Sequence, residues 1–281
     1  MQTQIDCFPC FLRQTIIALK QITDDPAVQE PVIREVISLI RDADTSRPPA
    51  YTTTFLHRLI RSRMGQDPFM HIKDVYNRLA MGLYPELKDR VRRSRDPLQT
   101  AARLAISGNV IDFGIFTSID IENSIRQALE EHIAVDDYLS FRQDVAGAQE
   151  VLYLLDNAGE VVFDRLLIEE LLRAGKKVKA VVKGSPVLND VTASDATQAG
   201  LTDLCEIVDN GSDAVGTILE WTSPEFRSRY QSAELIISKG QGNFETLWGN
   251  GKETYFLFQS KCEVVSKELG LSPGSMLLKK S

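Results

Sequence analysis

Nowhere in the 281 residues does an apolar run reach 18, so no membrane-spanning helix is expected. The first ten residues, MQTQIDCFPC, lack a basic start followed by an apolar core, and no secretory signal is read there. Histidine is scarce, at three residues, and none stands in an HExxH pattern. A GxSxG elbow and a Walker A loop are both missing, and no GxGxxG follows the first strand of the second half, which removes the motifs of serine hydrolases, P-loop enzymes and dinucleotide binders. Cysteine is limited to Cys7, Cys10, Cys205 and Cys262. One close pair and two isolated thiols are no disulfide framework for a chain this long, and a reducing cytoplasm is the expected location. An excess of positive charge is lacking too: 32 Lys and Arg stand against 39 Asp and Glu, for a net −7. Binding a nucleic-acid backbone needs the opposite sign, so no nucleic-acid partner is expected. The basic run Lys88–Arg95 reads as a solvated helix face. A phosphorylated small molecule stays admissible, because one local cation can invert the field.

What is present divides at the middle. Residues 1–148 read as mainly helical, with apolar spacing over Phe11–Leu19, Val32–Ile40, Thr53–Arg63, Met70–Gly82, Glu86–Arg93, Leu98–Ile106 and Ile121–His132. Pro85 is expected to start or interrupt a helix, and no strand is expected before about residue 150. Residues 149–281 alternate instead. Val151–Leu155, Lys177–Lys183, Cys205–Val208, Glu234–Ile237 and Glu253–Gln259 read as strands. Helices are expected at Glu160–Ala174, Ala196–Asp203 and after Pro224, with Val215–Leu219 a further candidate and Val264–Leu269 a helix or edge strand. This rhythm predicts an α/β fold with a mostly parallel sheet, helices on both faces and an added N-terminal helical region.

Polar residues gather where the strands end. Asp156–Asn157, Asn189–Asp190, Asp209–Asn210 and Lys239–Gly240 each follow a strand, and parallel strands would bring all four to one sheet edge, where such folds handle ligands. Asp and Asn also cap helices and make turns, which accounts for any one of them singly. Asp156, Asn157 and Asp190 are the candidate oxygen ligands for a hard divalent cation. Glu160 and Asp195 are secondary candidates to orient water or a substrate hydroxyl, and Glu160 also suits the first turn of a helix. The glycine-rich Ser238–Glu245 loop offers amides and the point charge of Lys239, and the Lys183–Pro186 loop adds the hydroxyl of Ser185. Cys7 and Cys10 form a CxxC open to three readings: half of a metal site, a redox pair, or small side chains packed in a helical cap.

The segments LLDNAGE, SPVLNDVTASDA and SKGQGNFE, with the N-terminal CxxC and GNVIDFG between, resemble the DUF89 family of metal-dependent damage-control phosphatases, in its prokaryotic branch. The resemblance spans nearly the whole chain. It implies a three-layer α/β/α sandwich and hydrolysis of phosphate monoesters of small metabolites such as sugar phosphates, with Mg, Mn, Co or Ni as the divalent ion. It also implies metal ligands at Asp156, Asn157 and Asp190, pocket residues at Gly108, Asn109 and Asp112, and a phosphate-side lysine at Lys239. Asn243 fits the substrate-binding loop, although Gln241–Gly242 departs from the eukaryotic relatives. Attack by a metal-activated water and attack by Asp156 itself are both open. Two rival readings are a methyltransferase with a nucleotide-type methyl donor and a non-catalytic phosphometabolite-binding protein.

Overall fold

A computed structural model describes residues 1–108, 129–130 and 132–281; Asn109, Asp112 and most of the expected helix Ile121–His132 lie outside the described residues. Seven strands form one sheet in the order β1-β7-β6-β5-β2-β3-β4. They are β1 (Ile133–Asp136), β2 (Glu150–Leu154), β3 (Lys177–Val182), β4 (Glu206–Asp209), β5 (Leu235–Lys239), β6 (Tyr255–Gln259) and β7 (Met276–Lys280). All neighbouring pairs run parallel except β6 with β7. The chain starts the parallel stack at β2 and steps outward through β3 and β4. It then returns to place β5 on the other flank of β2. The crevice at β2 and β5 is thus a topological switch point, the place where open α/β sheets bind ligands.

Strand periodicity of two divides the apolar side chains between two faces. Val151, Tyr153, Ala180, Ile237, Tyr255 and Leu278 join one buried cluster, which also takes residues of α4 (Met70–Arg93), α5 (Pro97–Gly108) and the helices Tyr138–Gly147 and Glu160–Arg173. Leu152, Leu154, Val181, Ile236, Phe256 and Leu277 join the other, with Phe226, Phe244 and Val265 from helices Pro224–Ser232, Gln241–Leu247 and Glu263–Leu269. The molecule is therefore the expected three-layer sandwich. Outside it, α1 (Cys7–Lys20), α2 (Pro26–Arg41) and α3 (Pro49–Met64) pack on one another around Phe11, Val36, Leu56, Leu19 and Ile60. No helix among the described residues is long and apolar enough to cross a membrane.

Several expectations are corrected. Helix α4 runs unbroken through Pro85. Its buried residues Lys73, Asn77, Ala80, Tyr84, Leu87 and Val91 recur at alternate steps of four and three, and packing that continuous stripe outweighs one lost backbone hydrogen bond. A strand does precede residue 150: β1, only four residues long, pairs with β7, whose Met276–Lys280 run the strand reading overlooked. The helix expected at Ala196–Asp203 is Ala193–Gln198, begun by a Thr192–Asp195 capping box. Val215–Leu219 is not helical, and Leu219–Trp221 makes a single 3-10 turn. Of the two alternatives at Val264–Leu269, the helix is the one present, over Glu263–Leu269. Close approach of α5 to the Glu160–Arg173 helix rests on small residues. A side-chain carbon on Gly108 would lie 2.9 Å from Phe163 Cβ.

His57 of α3 is 1% exposed. Burial, then the nearby Arg61 charge, push its imidazole down to about 3, so the folded protein holds it neutral. A depressed value means the unfolded chain takes up the proton first. The contribution is complete above the ordinary histidine range and is lost as pH falls from about 6.5 through 3. Denaturant unfolding between pH 7 and pH 4.5 should therefore show wild type losing up to about 1.4 kcal/mol per pH unit more than His57→Leu. Parallel pH profiles for the two proteins would refute the assignment.

Candidate active site at the carboxyl edge of the sheet

Strand β2 ends at Leu154, and the chain turns through Asp156 and Asn157 into the helix that starts at Glu160. The loop after β3 returns alongside it. Val191 N–H donates to Asp156 O at 2.8 Å, Ala158 N–H donates to Asn189 O at 2.8 Å, and Asn157 pairs with Asp190 in an antiparallel bridge. These backbone bonds hold two strand-end loops in register. Asp156, Asn157 and Asp190 consequently line one cavity of about 600 Å³.

The carboxylates in it are crowded. Burial pushes Asp156 well above the usual carboxylate range, and the Glu160 and Asp190 charges push it further. Asp190 is also raised by burial, against the opposing pull of Lys183, whose ammonium lies 3.4 Å from Asp190 Oδ2 and also donates to Gly216 O. Gly240 passes directly against Asp156. Its φ is +81°, and a side-chain carbon there would come within 2.0 Å of Asp156 Oδ2, so only glycine lets the β5 loop pass that carboxylate. Among the described residues, no three His, Cys, Asp or Glu side chains are arranged to hold a metal ion. Of the oxygen donors that line it, Asp156, Asn157 and Asp190 offer two carboxylates and one amide. That set suits a hard divalent cation with water completing its shell, and a cation would relieve the repulsion between the acids.

Lys239 sits away from the cavity. It is fully buried, and its ammonium donates to Glu160 Oε1 at 2.5 Å, Asp164 Oδ1 at 2.7 Å and Ala105 O at 2.8 Å. All three hydrogens are engaged. Burial alone would lower its pKa, but Asp164 and Glu160 lift it above the ordinary lysine range. Asp164, raised to about 7 by burial against the pull of Lys239, also accepts from Tyr153 at 2.8 Å. Asp195 is likewise buried and engaged: it accepts from Lys73 at 2.9 Å and Asn77 at 3.1 Å and caps its own helix. Asn243 is tied to Thr217, Lys239 O and Leu155 O. Ser185 is exposed, outside the cavity lining.

The helical region supplies the cavity's other wall, from α1 and α3, with Phe11, Gln14, Ala50 and Thr53. Cys7 and Cys10 are there too, facing the same space as Cys262. All four cysteines are free, and burial raises the Cys7 and Cys10 thiols. Cys7 packs with Phe11, Val36, Leu56 and Val264. Sequence reasoning missed Lys261, which is exposed and lines the cavity beside the acids; its charge favours the ionised form of Asp156. It stands two residues past β6, so the strand-end rule that found the other positions would have found it.

The chain matches the damage-control phosphatase ARMT1-like domain model over residues 3–277. It is 35% identical to an uncharacterized protein of Methanocaldococcus jannaschii, over 98% of this chain and 94% of the relative. With a damage-control phosphatase of Archaeoglobus fulgidus it shares 33% identity over 97% of each. The crystal structure of a DUF89 family protein from Pyrococcus horikoshii superposes with a TM-score of 0.90 at 30% identity, covering 100% of this chain and 99% of that one.

Removing the ammonium of Lys239 would strand two buried carboxylates. Lys239→Met, which keeps the aliphatic bulk, should cost roughly 3–5 kcal/mol of unfolding free energy. A denaturant titration showing a cost below about 1 kcal/mol would mean that the acids are neutralised some other way.

Proposed function

The chain belongs to the damage-control phosphatase ARMT1-like family, and from that membership and the cavity geometry we propose a divalent-metal-dependent phosphatase acting on phosphate monoesters of small metabolites. The observation that carries the reading is the meeting of Asp156, Asn157 and Asp190 in one cavity at the sheet's switch point. In this proposal those three residues hold the cation. When bound, such an ion supplies Lewis-acid polarisation of a phosphoryl oxygen.

The chain's own groups do the rest. Lys261 provides the point charge toward the phosphoryl oxygens, where developing charge is best met by a preorganised cation. It takes the role that the sequence resemblance implies for Lys239, whose hydrogens are already engaged inside the protein. The α1 and α3 wall receives the leaving group. Phe11 and Ala50, beside Val264 of the Glu263–Leu269 helix, give it an apolar surface, and Gln14 and Thr53 give it polar groups for substrate hydroxyls. Enclosure by that wall excludes bulk water and strengthens every charge interaction inside.

Phosphate release from a chromogenic monoester, after chelation and after return of Mg²⁺, Mn²⁺, Co²⁺ or Ni²⁺, tests this. Activity should need the added ion. It should fall by at least about 100-fold in Asp156→Asn and in Asp190→Asn, a loss of about 2.7 kcal/mol or more of transition-state stabilisation. Lys261→Ala should lower kcat more than it raises KM, because a charge that meets developing charge acts in the transition state. Release that persists under chelation, or equal rates in wild type and both aspartate variants, would end the proposal.

A further inference from the structure

Asparagine is an ambiguous ligand. Its Oδ1 can bind a cation and its NH₂ cannot, so a protein that uses it must decide which end faces the ion. Asn157 lines the cavity, and its Nδ2 donates in two directions, to Asp156 Oδ2 at 2.6 Å and to Glu160 Oε2 at 3.2 Å. Two carboxylates thus draw the NH₂ end, which leaves Oδ1 for the cavity. Glu160 is itself pinned. Its other oxygen accepts from Lys239 at 2.5 Å, and Lys239 is anchored by Asp164 and Ala105 O. Glu160 is 1% exposed, and Lys239 and Asp164 are 0% exposed, so this frame is rigid and dry.

We infer that Glu160, held by Lys239 and Asp164, is a positioning residue that sets the amide of Asn157 with its oxygen toward the cation. The inference rests on the metal reading above and assigns Glu160 a task other than touching substrate or water.

The chemistry of the frame specifies its own test. Lys239 offers only donors, so in Glu160→Gln the new side chain must keep its oxygen on Lys239. Its NH₂ then faces Asn157 Nδ2, donor against donor. Relief requires Asn157 to turn over, which presents NH₂ to the cavity and sets its oxygen against Asp156. Either outcome opposes cation binding. Asn157→Asp removes the ambiguity, because both ends of its side chain are oxygens.

Mn²⁺ titration calorimetry on the purified chain, without substrate, reads the effect directly. Glu160→Gln should weaken Mn²⁺ about 10- to 100-fold, the size of change typical when a ligand's orienting partner is lost. In the Asn157→Asp background the same substitution should leave affinity within about threefold or raise it, since an orienting partner is no longer needed. Equal weakening in both backgrounds would show that Glu160 acts only through its charge, and would overturn the inference while leaving the metal reading intact. No Mn²⁺ binding by wild type would overturn the metal reading and this inference together. Circular dichroism and thermal melts check folding. Should Glu160→Gln fail to fold, Glu160→Ala replaces it, and the same contrast between the two backgrounds decides.

Discussion

A buried ion triad, Lys239 with Glu160 and Asp164, is the constraint from which the rest of the site follows. Its ammonium comes from the end of β5, its carboxylates from the helix after β2, and a third bond from the carbonyl of Ala105 in α5. One side chain therefore joins the sheet, the helix that carries the loop residues, and the layer above. Such an arrangement is not an efficient source of stability, because desolvating three charged groups offsets most of their attraction. What it provides is position: a charged group without its partners is costly enough that alternative packings are disfavoured.

That position matters because the acids of the cavity repel one another. Asp156 and Asp190 line it with buried carboxylates, Glu160 lies behind them outside the lining, and the first two are pushed toward neutrality by burial. Lys183 opposes the charge at Asp190, Lys239 takes up Glu160, and Lys261 faces the cavity itself. These cations divide into those that hold the frame and one that lines the cavity. Around them the fold contributes rigidity: β2 and β5 are buried on both faces, and their loops are fastened by backbone hydrogen bonds. Carboxylate and amide side chains and Lys261 line one side of this space, and Cys7, Cys10, Phe11 and small residues of the helical cap line the other.

Much of this was legible in advance. Apolar runs bounded by Asp-Asn or Lys-Gly marked β2 through β5, and their parallel arrangement puts Asp156, Asn157 and Asp190 together at one edge. Elements that depend on distant partners were harder to see. β1 is too short for its alternation to register, β7 is half lysine at its end, and α4 continues through Pro85 because a long buried stripe outweighs a local defect. Lys239 was visible as a lysine at a strand end, which suits a phosphate contact and a structural ion pair equally well. Its partners in the helix and in α5 separate the two.

Taken alone, the amino-acid order determined the alternation of strand and helix, the class of the sheet, and which residue types stand at strand ends. Those features arise from side-chain period and turn chemistry among near neighbours. Only the tertiary structure decided which charges line the cavity and which are consumed inside. Lys239 reaches an acceptor 134 residues away, whereas Lys261 is exposed and lines the cavity. Whether a lysine is a tool or a fastener depends on the acceptors within about 3 Å of its nitrogen, and chain folding alone brings those acceptors there.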